Sequence, residues 1–162
     1  YSFNLKMSSL HHCSEPITIS QDMCDHNGHM NVLNYSKLFI DGLEDFYSDQ
    51  LGFTKGYRNS GFSSFTLEEN IKYSKECLED DEIVMHYRIH RINKKLIHLV
   101  AIMLNSNEQL CSIYETVLGH VDMNSRKVTE MEEIFFENIQ QIMQEHTRSA
   151  LEIPLRLGIK QL

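Results

Sequence analysis

Seven consecutive residues concentrate the chain's most reactive side-chain types: Asp25-His26-Asn27-Gly28-His29-Met30-Asn31. Asp25 closes a segment that alternates like a strand, and Asn31 suits the cap of the helix that follows, with Gly28 making the bend between them. A strand-to-helix junction of this kind points free backbone N–H groups and the positive helix end at one spot. Pre-aimed donors there stabilise an oxyanion, the charge an acyl carbonyl develops under attack. Asp25 is the matching carboxylate, either attacking the carbonyl carbon to give a mixed anhydride or taking a proton from water as general base. His29 and Asn31 are candidates for the same chemistry, or for holding the turn.

Other chemistries fit this segment less well. Asp25, His26 and His29, with His11-His12-Cys13 upstream, lack the HExxH spacing by which a helix face presents a metal pair, and no metal site is expected. A calcium loop around Asn27-Gly28 would need carboxylates where Met23 and Asn34 stand. Cys24 has no assignable histidine and acid partner and reads as a small core filler.

The elements that must position Asp25 follow from periodicity. Ile17 to Cys24, entered after Pro16, alternates as a short strand. From Val32 the period becomes helical through Tyr35, Leu38, Phe39, Leu43 and Phe46, ending at Leu51-Gly52. Gly52 to Gly61 reads as a connecting loop. Four strands then succeed one another. Phe65, Leu67, Glu69, Ile71 and Tyr73 share one parity; Ile83, Met85, Tyr87 and Ile89 share another; Leu96–Leu104 and Leu110–Val121 are apolar and β-branched. Met131 to about His146 keeps helical spacing. The expected architecture is α+β, an antiparallel sheet of about five strands wrapped around one long central helix, with a C-terminal helix.

Bulk properties bound the rest. The chain has 162 residues, 41% of them hydrophobic, enough for one domain with a real core. A single domain over 1–162 is expected, its core at about 15–123 and a C-terminal helix and tail at 130–162. The net charge of -8 argues against nucleic acid and anionic membranes as partners. Tyr1–Leu10 lacks the apolar run of a signal peptide, and no stretch approaches the roughly 20 apolar residues that span a bilayer. Four scattered cysteines suit a reduced, cytoplasmic setting.

Asp25, Gly28, His29, Met30 and Asn31 match in order the signature of a known family. It is the 4-hydroxybenzoyl-CoA thioesterase-like branch of the hotdog superfamily, with an aspartate, two residues, then Gly-His-hydrophobic-Asn at the start of the central helix. Tyr35 falls where that family often carries a tyrosine. Further stretches resemble the thioesterases of carnitine and betaine metabolism: Glu68-Glu69-Asn70-Ile71-Lys72-Tyr73, Asn93-Lys94-Lys95-Leu96-Ile97-His98, Glu115, and His120-Val121-Asp122-Met123. The chain departs from the pattern at Asn70, Leu96 and Val32, where a histidine, an arginine and an asparagine are usual.

The resemblance implies an acyl-CoA thioesterase with Asp25 as its catalytic carboxylate and no cofactor, because CoA is part of the substrate. A betainyl group would favour carboxylates and aromatic faces, which nominates Glu68, Glu69, Glu115 and Tyr73 as substrate-binding residues, with Tyr114 beside them. Glu69 stands out, since its parity with apolar neighbours buries it. For the CoA phosphates the candidates are Arg88, Arg91, Lys94 and Lys95, in a stretch free of acidic residues, although strict alternation would split Arg88 from Arg91. A homodimer or a tetramer of dimers is expected, because one such sheet leaves edges open. The alternative is a non-catalytic hotdog module that binds acyl or CoA ligands; a dehydratase is disfavoured, its proline-bearing loop having no place in a chain whose prolines are Pro16 and Pro154.

Overall fold

The computed structural model describes residues 12–160; the expectation for Tyr1–Leu10 and the candidate ligand His11 lie outside them. Two short strands, β1 (His12–Cys13) and β2 (Ile17–Thr18), precede helix α1 (Val32–Asp49) and a short helix α2 (Lys55–Asn59). Four long strands follow, β3 (Phe62–Tyr73), β4 (Glu82–Ile92), β5 (Leu96–Asn105) and β6 (Leu110–Asp122), then β7 (Lys127–Val128) and helix α3 (Glu133–His146). All pairings are antiparallel, and the strand order is β1-β4-β5-β6-β3, with β2 also on β4 and β7 on β6. The sheet curls around α1, the hotdog arrangement expected from the sequence.

The core lies between α1 and the inner face of the sheet. Tyr35, Leu38, Phe39, Leu43 and Phe46 of α1 are buried against Met85, Tyr87 and Ile89 of β4, Leu99 and Met103 of β5, and Tyr114 of β6. The helical period therefore selects one face of α1, and the two-residue period selects one face of each strand. Phe39 stacks on Tyr114 with ring centroids 5.1 Å apart. Gly42 brings the helix down onto β4, where a Cβ would overlap the Tyr87 hydroxyl. That hydroxyl donates to the carbonyl of Phe39 at 2.7 Å.

The outer face is also covered. Leu151, Ile153 and Leu155 of the C-terminal tail pack on Ile102, Leu104 and Ile113. The open edge of β4 beyond β1 is closed by α3, whose His146 Nδ1 accepts the N–H of Ile89 at 3.0 Å. No described helix is long and apolar enough to cross a membrane.

Two expectations are corrected. The segment Ile17–Cys24 is not one strand: only Ile17 and Thr18 pair with β4. After Ile19, which is fully buried, Gln21–Met23 turns as a 3-10 helix, with the Ser20 hydroxyl 2.5 Å from the Asp22 carboxylate. The loop after Gly52 contains α2, started by Thr54, whose side chain accepts the N–H of Tyr57.

Candidate active site

Asp25 stands on a tight turn rather than at a strand end. Its N–H donates to the carbonyl of His29 and its carbonyl accepts the N–H of Gly28, both at 3.0 Å. Gly28 adopts φ +80°, a conformation glycine reaches without strain. Asn31 then caps α1 as expected, its side chain accepting the N–H of Leu33 at 2.9 Å. Asn34 fastens the helix start to the preceding turn through Met23 O at 3.0 Å, and Met30 N–H reaches Cys77 O at 2.7 Å.

This framework orients the Asp25 carboxylate at both oxygens. Oδ1 accepts the N–H of Asn27 at 2.8 Å, and Oδ2 lies 3.0 Å from His29 Nε2. The other ring nitrogen of His29 lies 3.3 Å from Glu76 Oε2, on the segment leaving β3. The carboxylate thus keeps one fixed direction while remaining partly open to solvent.

These groups open onto a cleft of about 480 Å³, lined by Asp25, His29, Asn31, Val32, Tyr35 and Tyr73, with Ser74, Lys75 and Glu76 at one lip. Tyr35 and Tyr73 meet edge to face at 5.1 Å, and the Tyr35 hydroxyl accepts the N–H of Cys77 at 3.1 Å. Burial pushes the Tyr35 phenol well above its ordinary pKa, so it stays neutral and serves as a wall. Among the early N–H groups of α1, that of Leu33 goes to the Asn31 side chain and those of Asn31 and Asn34 go to Met23 O and Asn31 O. The N–H of Val32, the first helical residue, has no partner among the described residues, and Val32 lines the cleft.

Of the residues singled out from sequence, Asp25, His29, Asn31 and Tyr73 share this cleft. Glu76, beside His29, is not among the sequence candidates, because nothing local in the sequence links it to the Asp25 turn across the intervening helix and strand.

The remaining candidates do not line it. Glu69 is exposed, not buried: it shares a face with Ile71 and Tyr73 but lies on the edge strand, while a bulge between Thr66 and Glu68 sends Phe65 to the opposite face. Its carboxylate accepts the Tyr114 hydroxyl at 2.5 Å. Glu68 is exposed on the other side of the same edge strand. Glu115 is fully buried, but on the outer face of the sheet. There it lies 3.1 Å from His98 Nε2 and accepts the N–H groups of Arg156 and Leu157. Tyr114 is core.

The basic candidates are equally remote. Tyr73 registers with Ser112, Ser112 with Met103, and Met103 with Met85. Arg88 therefore lies three strands across and three residues along, about 14 Å by about 10 Å, and on the opposite face. Arg88 and Arg91 line a different cavity. Lys94 and Lys95 are exposed at the β4–β5 turn, where Lys95 borders the end of the tail.

Known proteins share this fold. A curated L-carnitine dehydrogenase/betainyl-CoA thioesterase of Agrobacterium fabrum is 26% identical over 107 residues, a match covering 66% of this chain and 22% of that protein. The chain thus spans about a fifth of that relative's length. A Staphylococcus aureus protein solved in complex with CoA superposes with a TM-score of 0.78 at 22% identity, over 90% of this chain and 94% of the other. A DHNA-CoA thioesterase from the same organism gives 0.72 at 16% identity, over 86% and 96%. The 1,4-dihydroxy-2-naphthoyl-CoA thioesterase of Synechocystis gives 0.68 at 11% identity, over 81% and 98%. At these identities the likeness is one of fold. The profile of the Thioesterase-like superfamily matches residues 19–141, which include the Asp25 turn, α1 and all four long strands, and the chain belongs to that superfamily.

Proposed function

We propose that this chain hydrolyses acyl-CoA thioesters, with Asp25 as the catalytic carboxylate. The observation that carries the reading is the Asp25 carboxylate, held by Asn27 N–H and His29 Nε2, in the same cleft as the first residue of α1. A thioester carbonyl seated there would place its oxygen towards the Val32 N–H and its carbon towards Asp25. Asp25 then either adds to that carbon, expelling CoA thiolate and leaving a mixed anhydride for water, or takes a proton from the attacking water. His29 positions the carboxylate and Asn31 secures the helix start. CoA enters as part of the substrate, and no cofactor is needed.

The acyl group in this reading carries positive charge, as a betainyl group does. Two carboxylates, Asp25 and Glu76, and the rings of Tyr35 and Tyr73 line the cleft, with His29 and Lys75 as its basic side chains; the carboxylates and aromatic faces are the groups that favour a quaternary ammonium. The Agrobacterium relative bears that activity in its name.

The reading includes a single domain working in the cytoplasm as a homodimer. The edge strand β3 leads directly into the lip of the cleft, and Thr66–Glu69 along it are exposed. Pairing two such edges would extend the sheet and enclose the cleft; a tetramer would join two of these dimers.

Thiol release from a panel of aliphatic, aromatic and betainyl CoA esters tests the assignment. Asp25→Asn should keep the fold and lower turnover by roughly 10²- to 10⁴-fold. Wild-type turnover in that variant would overturn it.

A further inference from the structure

A second site is built at the far end of β4, on the outer face. Register steps from Ile89 opposite Leu99 to Arg91 opposite His98, so His90 is the extra residue of a β-bulge. Without it, alternation would send Arg88 and Arg91 to opposite faces. With it, both side chains share the outer face, and bulges re-aim side chains in this way at functional positions. The two arginines and His90 line a cavity of about 350 Å³, closed on its other side by Met143, Thr147 and Ser149 at the end of α3. Among the described residues, no carboxylate lines it.

The electrostatics are those of an anion site. Arg88 is 97% buried, being 3% exposed, and its Nη1 donates to Ser149 O at 2.9 Å, which fixes the guanidinium against the cavity wall. Arg91 is exposed at the mouth. His90 meets His98 edge to face at 5.2 Å. Its pKa is pushed down to about 4, by burial first and then by His98, Arg88 and Arg91. A phosphate oxyanion beside the ring would offset the charge of the two guanidiniums. Two guanidiniums on one face, one buried and one at the rim, suit the several acceptor oxygens of a phosphate group.

We propose that the Arg88–His90–Arg91 bulge binds a phosphate monoester at a site separate from the Asp25 cleft. The chemistry is shared by free phosphate and by the 3′-phosphate of a CoA molecule. The site stands whether or not Asp25 is catalytic.

The test is NMR titration of the His90 ring with inorganic phosphate, in wild type, Arg91→Gln and Asp25→Asn, against sodium chloride at matched ionic strength. Phosphate should shift the His90 signal saturably and move its titration upward from about 4. Arg91→Gln, at an exposed position, should keep the fold and weaken phosphate at least about tenfold. Asp25→Asn should bind as wild type does, so failure of this site and failure of the catalytic assignment are read separately. A His90 shift produced by CoA at lower concentration than by dephospho-CoA would identify the 3′-phosphate as the ligand, and equal His90 responses would identify free phosphate. A His90 response that chloride reproduces, or undiminished phosphate affinity in Arg91→Gln, would overturn the proposal.

Discussion

His29 bridges two carboxylates: its Nε2 lies 3.0 Å from Asp25 Oδ2 and its Nδ1 lies 3.3 Å from Glu76 Oε2. A ring set between the two carboxylates restrains the direction of the Asp25 carboxylate. His29→Gln removes that restraint and leaves Asp25 in place. The expected result is a fall in kcat of about 10- to 100-fold, the order that small misplacements of a reacting group produce, with KM little changed. Steady-state kinetics of the purified variant checks it, and an unaltered kcat would reduce His29 to a support of the turn.

Glu115 behaves as a clasp for the tail. Its carboxylate accepts the N–H of Arg156 at 2.8 Å and of Leu157 at 3.0 Å and lies 3.1 Å from His98 Nε2, all within a buried environment. Glu115→Ala should destabilise the fold by about 3 kcal/mol, on the scale of lost bonds to a charged group. It should also expose Arg156 to trypsin, because the tail then lacks its anchor on β6. Equilibrium unfolding and limited proteolysis measure the two effects. KM for the thioester should move less than about twofold, since Glu115 faces away from the cleft. A large rise in KM would return Glu115 to the substrate site that the family resemblance implies for it.

Much of the fold was legible because its signals are local and repeated. The step from period 2 to period 3.6 at Val32 marks α1, and the inward set Ile83, Met85, Tyr87 and Ile89 was readable directly; all four are at most 1% exposed. The Asp25 turn was legible for a different reason: glycine, a capping asparagine and a carboxylate each carry a local geometric meaning. Bulges defeated the rest. One extra residue inverts every side chain beyond it, so the bulge in β3 parted Phe65 from Glu69, Ile71 and Tyr73, and the one at His90 put Arg88 and Arg91 on a shared face. The tail over the outer face was equally hidden, because Leu151, Ile153 and Leu155 alternate without saying which surface they cover.

Gly42 marks the closest approach of α1 to the sheet. A side chain there meets the Tyr87 hydroxyl and the Met85 methyl, and both residues are buried in the core. Gly42→Val should therefore cost about 1–3 kcal/mol, the usual range for overpacking a filled core. Helix propensity alone would have favoured the larger residue. Chemical denaturation distinguishes the two directions, and a stabilised variant would mean that α1 can lift from β4 without loss.

Stability should fall in mild acid because of histidines buried in the neutral form. His90, His98 and His120 all have lowered pKa values, with burial the first cause in each. His120 shows why it resists protonation: Nδ1 lies 3.0 Å from the carbonyl of Thr129 and Nε2 lies 2.5 Å from the Tyr57 hydroxyl. With Nδ1–H donating to that carbonyl, Nε2 accepts from the phenol, and a second ring proton would break the pair. The unfolded chain takes up protons near the ordinary histidine value of about 6.5, whereas the folded chain does not until lower pH. The contribution is thus fully present above about 6.5 and is lost as pH falls, for His90 down to about 4. Urea midpoints should drop between about pH 7.5 and pH 5, and His90→Asn should flatten that slope while lowering the neutral-pH midpoint less. A midpoint that holds or rises on acidification would show that these rings are already protonated in the folded chain, contrary to their burial.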